Sequence, residues 1–129
     1  MNKLDKDSVT RISALLVHAA RIDEIYTEHE KNLVKNFIKS YLTETDENDI
    51  LKKAEEIEAN SNQLLSFTNI IKENSMEIKK DIIEHLWKVI ISDKAVDQYE
   101  SNLMRRICGL IYFPDKECAE IKLRLLNSK

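Results

Sequence analysis

The sequence predicts an all-α domain, and three observations carry that prediction. The 129 residues contain only one glycine and one proline, too few for the tight turns that a β-rich fold requires. Apolar residues recur at spacings of three and four along most of the chain, which is the period of a helix that packs on one face. A chain of this length fits a single domain and should bury about two thirds of its surface on folding.

Four of about seven predicted helices lie in the N-terminal half, and most begin beside a Ser, Thr or Asp that suits a helix cap. Their predicted ranges are Ser8 to about Arg21 with a cap at Asp7 or Ser8, Thr27 to about Ser40, a third helix after Asp46, and Asn62 to about Glu73.

The remaining three helices fill the C-terminal half. The fifth opens after Ser75 and runs to about Ser92, and it is apolar around most of its circumference over its second half. A helix of that kind is normally central and buried. The sixth is predicted from about Gln98 to Ile111. Pro114 then breaks the run and starts a seventh helix, through about Leu126.

Composition excludes several classes of function. One glycine cannot form a phosphate loop, a dinucleotide fingerprint or the nucleophile elbow of a hydrolase, so we expect no enzyme. A net charge of −3 without a basic stripe argues against nucleic acid as a partner. No apolar run approaches the length of a membrane span and the N-terminus lacks a signal-peptide core, so we expect no membrane insertion and a cytoplasmic protein.

The two cysteines, Cys108 and Cys118, are ten residues apart. That spacing matches neither a zinc site nor a disulfide framework, so we expect reduced thiols. Cys108 lies in an apolar run and is predicted to be a small core residue.

Charge is uneven along the chain. Residues 44–58 hold seven acidic side chains against two lysines, whereas the segment from Leu103 onwards is mildly basic. These runs suit solvated helix faces, and an acidic docking surface is the alternative.

Two stretches of the chain match without gaps at an offset of seventy residues. Each copy has the form of a helix end, a short turn and a helix start, which suggests two helix hairpins packed as pseudo-symmetric halves. The matching pairs are Leu16 and Leu86, Asp23 and Asp93, Glu30 and Glu100, Asn32 and Asn102, and Leu33 and Leu103.

The repeated acids have a structural interpretation and a functional one. Thr27 and Glu30 have the spacing of a capping box, and Asp97 and Glu100 have that of an acidic variant. Asp23 and its counterpart in the second copy stand at helix C-termini, where the helix dipole disfavours a carboxylate. The acids therefore serve either as turn and cap residues or as a site for a hard cation or a partner at the hairpin mouth. Their spacing does not match an EF-hand.

These features resemble the TerB-like (tellurite-resistance protein B-like) family over nearly the whole chain. The segments that carry the resemblance are 14–23 with the Glu28-x-Glu30 pair, 64–74, 86–100, 102–107 and 114–117. The resemblance implies one TerB-like helical domain over 1–129, with a pseudo-repeat of 14–41 and 84–111. It also implies a relation to the N-terminal domain of membrane-anchored J-domain co-chaperones.

The resemblance further implies a stress-associated, non-enzymatic domain. Its acids are expected to bind a divalent cation at the hairpin turns, with oxygen ligands suited to Ca²⁺, Mg²⁺ or Mn²⁺, and no other cofactor is expected. The alternative is a protein-interaction module, similar to a co-chaperone, in which the acids only cap helices; a protein partner is expected in either case. Where the family usually has Gly after each turn Asp, this chain has Glu24 and Lys94. The metal-site residues implied are Asp23, Glu30, Asp93, Asp97 and Glu100.

Overall fold

The computed structural model describes residues 4–21, 26–43, 46–61, 65–91 and 98–127, with the side chains of residues 98–100 outside that description. Within these ranges the chain forms seven α-helices and no strand, which confirms the predicted fold class. The helices are α1 (Lys6–Ala20), α2 (Glu28–Tyr41), α3 (Glu47–Asn60), α4 (Leu65–Lys72), α5 (Met76–Ile90), α6 (Gln98–Ile111) and α7 (Asp115–Asn127).

Side-chain caps fix where several helices begin. The Ser75 hydroxyl accepts from the backbone N–H of Ile78 at the start of α5, and the Asp46 carboxylate accepts from Asn48 at the start of α3. The cap of α1 differs from the prediction: it is Asp5, whose carboxylate accepts from the N–H of Ser8 at 2.7 Å. This bond lowers the pKa of Asp5. The helix begins earlier than predicted because Asp5 has the same capping chemistry as the predicted cap residues.

Two helices, α1 and α5, form the centre of the fold. The apolar circumference of α5 is buried as predicted, and its Ile82, Ile83 and Leu86 are fully inaccessible to solvent. The α1 helix is just as central, because it packs against α2, α3, α4 and α5. Leu15 and Val17 of α1 are therefore fully buried as well.

The α6 helix ends in a Schellman motif whose left-handed residue is a tyrosine. The N–H of Phe113 donates to the carbonyl of Cys108 at 2.9 Å, and that of Tyr112 donates to Gly109 at 3.4 Å. Tyr112 has φ of 60°, the left-handed conformation that glycine usually supplies at this position. The turn places the tyrosine ring outward, and the residue is 68% exposed.

None of the helices in the described ranges combines the length and the apolar character needed to cross a membrane.

Candidate functional site

Glu30 is the one predicted site residue whose side chain is described, and it forms a helix cap. The Thr27 hydroxyl accepts from the N–H of Glu30 at 3.1 Å, and Glu30 Oε1 accepts from the N–H of Thr27 at 2.8 Å. This is the reciprocal capping box that the sequence predicts. Although charged, Glu30 is only 3% exposed, and a carboxylate buried to that degree needs such donors.

Two acids of α3, Glu55 and Glu58, reach the end of α1 and the start of α2, and each has a polar partner there. Glu58 accepts from Arg21 at 2.8 Å and lies 3.3 Å from the Nδ1 atom of His18. Glu55 accepts from the hydroxyl of Tyr26 at 2.7 Å. These contacts join residues that are 29 to 40 positions apart in sequence.

The ring of Tyr26 is the centre of this cluster. The guanidinium of Arg21 lies 5.0 Å from the ring centroid and the ammonium of Lys31 lies 5.2 Å from it, so two cations flank one aromatic ring. Burial and the bond to Glu55 raise the pKa of the Tyr26 hydroxyl, which keeps it a neutral donor. The acids that face this turn from α3 are therefore engaged by cations and a hydroxyl.

The other four predicted site residues fall outside what the structure describes. Asp23, Asp93 and Asp97 lie in the ranges 22–25 and 92–97, and Glu100 belongs to α6 but its side chain is not described. In the described part of the chain, no group of three or more His, Cys, Asp or Glu side chains is placed to hold a metal ion. The role of these four acids at the turns stays a prediction.

A second feature, at the α6–α7 turn, combines an exposed aromatic ring with a cation. The ammonium of Lys72, at the end of α4, lies 4.9 Å from the centroid of the Tyr112 ring. The pair holds an apolar and a positively charged group side by side on the surface. Sequence periodicity did not single out Tyr112. A residue other than glycine in the left-handed conformation has no characteristic sequence pattern.

A third feature lies where α5, α6 and α7 meet, and sequence spacing did not reveal it. The indole N–H of Trp87 donates to the Sγ atom of Cys118 at 3.3 Å. The neighbouring thiol of Cys108 interacts with that sulfur, and the interaction raises the pKa of Cys108 and lowers that of Cys118 to about 7. Both thiols are free and buried, which confirms the prediction that Cys108 is a core residue.

The fold and the capped hairpin define a small, all-helical domain in which acids stabilise helix starts. A family model described as tellurite resistance protein TerB matches residues 10–123, and the chain belongs to that family. No curated protein matches the chain, and no solved structure matches it. The family shown is the one that the sequence motifs indicate.

Proposed function

We propose that this chain is a non-enzymatic TerB-family domain that acts by binding a protein partner, and that its hairpin acids serve as helix caps. The observation that supports this best is the position of Glu30. Its carboxylate is buried and takes part in a reciprocal cap, and both bonds from Thr27 end on the same oxygen, Oε1. An acid held this way stabilises the start of α2 without any bound ion.

The α6–α7 turn is the surface that we assign to the partner. An exposed tyrosine in a left-handed conformation is costly, by about 1 kcal/mol relative to glycine, and tyrosine is enriched among residues that dominate binding energy. Lys72 lies against its ring, and Arg106 and Lys116 are exposed on the helices that flank the turn. This arrangement favours a partner segment in which an apolar side chain stands beside an acidic one.

Site-directed photocrosslinking in cells tests this assignment. A photoreactive amino acid at position 112 should capture one defined protein, and the same probe at the exposed Lys52 on α3 should not. Tyr112→Gly should abolish the capture of that protein by a probe at the neighbouring position 116. Equal capture from positions 52 and 112, or capture that survives Tyr112→Gly, would refute the assignment.

Cation binding is the second candidate, favoured by the recurrence of Asp and Glu at equivalent positions of the two turns. A ligand that binds only the folded state stabilises it by about 2.7 kcal/mol at a hundred times its dissociation constant. Millimolar Ca²⁺, Mg²⁺ or Mn²⁺ should then raise the melting temperature of the wild type and not of the Asp23→Asn/Asp93→Asn variant. An unchanged melting temperature for the wild type would exclude this candidate.

The family description links such proteins to tellurite resistance, and we extend to this chain a stress-associated role in the cytoplasm. Deletion of the gene should slow the growth of the cells in the presence of tellurite, and expression of the wild-type protein should restore growth. Recovery with wild type but not with Tyr112→Gly would connect the role to the partner surface. Growth that is indifferent to the deletion would contradict the stress role.

A further inference from the structure

The thiol cluster at the junction of α5, α6 and α7 has a geometry that a structural core does not require. Cys118 accepts from the indole N–H of Trp87 at 3.3 Å, and the buried thiol of Cys108 interacts with the same sulfur. A sulfur that accepts a hydrogen bond is stabilised as the thiolate, and the thiolate is the nucleophilic form of cysteine.

The two sulfurs differ in their access to solvent. Cys108 is fully buried, whereas Cys118 is 6% exposed and forms part of the wall of a surface cavity of about 580 Å³. Cys118 therefore borders a space large enough for a small neutral molecule.

Charged groups around the cavity complete the site. Lys122 from α7 and Arg105 from α6 line it, and the Lys122 ammonium lies 5.4 Å from the centroid of the Trp87 ring. Asp115 is the opposing carboxylate in the same wall. Cys118 itself ends the first turn of α7, where the helix dipole also favours an anion.

We propose that Cys118 is an oxidant-reactive cysteine whose substrate class is small hydroperoxides, with Cys108 as the thiol that resolves the product into an intramolecular disulfide. This site is separate from the partner surface and the capping box, and it does not depend on the proposed function.

The reaction has two balanced steps. The Cys118 thiolate attacks one oxygen of hydrogen peroxide, an S–O bond forms, the O–O bond breaks, and hydroxide leaves and takes up a proton to become water. The sulfur of Cys108 then attacks the sulfenic sulfur of Cys118, forming the S–S bond, while the S–O bond breaks and the oxygen leaves as water with the Cys108 proton. Both thiols are oxidised by one electron each, and the peroxide is reduced to two molecules of water.

Trp87 is the only tryptophan of the chain, and its N–H contacts the reacting sulfur, so its fluorescence follows the reaction directly. In the reduced full-length protein, a stoichiometric amount of hydrogen peroxide at pH 7 should change this fluorescence. Peptide mapping should then find one disulfide between Cys108 and Cys118. In Cys108→Ser, the sulfenic acid should accumulate and be trapped by dimedone at Cys118.

A matched control distinguishes the reactivity that the site gives to Cys118 from the reactivity of an exposed thiol. The double variant Cys118→Ser/Glu120→Cys moves the thiol two residues along α7 to an exposed position that is not part of the cavity wall. We expect Cys118 in the wild type to react with peroxide at least tenfold faster than the relocated thiol of this variant. Trp87→Phe, with its fold verified by circular dichroism, should slow the reaction of Cys118, measured by mass spectrometry.

Four results would overturn the proposal. The first is a control thiol that reacts as fast as Cys118, and the second is oxidation that starts at Cys108. The third is the absence of dimedone adducts from Cys108→Ser while its Cys118 is consumed by another route. The fourth is a wild type that remains a dithiol with excess peroxide.

Discussion

The capping box at the start of α2 gives the sharpest mutational prediction. Replacing Glu30 by Ala or by Gln distinguishes a structural cap from a role that depends on the charge of the side chain. Glu30→Ala removes an acceptor that takes two bonds from Thr27, at 2.8 Å from its N–H and 3.2 Å from its hydroxyl. A bond to a charged group contributes about 1.5 to 3 kcal/mol net, and loss of a cap costs about 1 kcal/mol. These effects overlap, so we expect the free energy of unfolding to fall by about 2 kcal/mol.

Glu30→Gln is the matched control, because glutamine also completes a capping box. Its amide oxygen can accept from the N–H of Thr27, and only the favourable interaction of a charge with the helix N-terminus is lost. We expect a loss of about 0.5 to 1 kcal/mol.

Urea denaturation followed by circular dichroism measures both changes, in buffer with EDTA so that no divalent ion contributes. A loss with Glu30→Gln as large as that with Glu30→Ala would show that the charge matters and the cap does not. A loss below about 0.5 kcal/mol with Glu30→Ala would show that the box adds little to stability. Either result would refute the assignment of Glu30 as a structural cap.

Three further predictions concern stability. Tyr112→Gly should raise the free energy of unfolding by up to about 0.5 kcal/mol, because glycine relieves a left-handed strain of about 1 kcal/mol while the contact with Lys72, which contributes about 0.5 to 1 kcal/mol, is lost; a destabilised variant in urea denaturation would contradict this. Ser13→Ala should stabilise the fold by about 1 kcal/mol, because among the described side chains the Ser13 hydroxyl is buried without a hydrogen-bond partner, and thermal denaturation reports the change. Burial lowers the pKa of His85 below its ordinary 6.5, so the unfolded chain takes up the proton first and stability falls as the pH drops below about 6.5. This pH dependence, measured by denaturation between pH 7.5 and 5.5, should be smaller in His85→Gln, and identical slopes would argue against it.

Local sequence patterns predicted the helices and the first capping box well. The spacing of Thr27 and Glu30 is a short-range signature whose two bonds form within one helical turn, so no tertiary contact is needed to anticipate it. The start of α1 was predicted less well, because several neighbouring residues near Asp5 have suitable capping side chains. Which of them caps the helix depends on where the rest of α1 packs.

Contacts between distant helices could not be predicted in the same way. The pairing of Glu58 with Arg21 depends on the angle at which α3 crosses the end of α1. The composition of the acidic segment does not determine that angle. The proximity of the two thiols was not predicted, because their ten-residue spacing matches no disulfide framework. Pro114 forces a turn between two helices, which brings residues on either side of it, such as Cys108 and Cys118, towards each other.

The central claim, that the hairpin acids cap helices in a protein-binding domain, is tested most directly by following backbone amide shifts during a divalent-ion titration. The labelled wild type would be titrated with Ca²⁺, Mg²⁺, Zn²⁺ and Mn²⁺ up to millimolar concentrations. For Mn²⁺, the broadening of the amide signals would be measured in place of their shifts. We predict no saturable change at residues 22–25 or 92–97. Saturable changes at both turns that disappear in Asp23→Asn/Asp93→Asn would contradict the claim and establish a cation site.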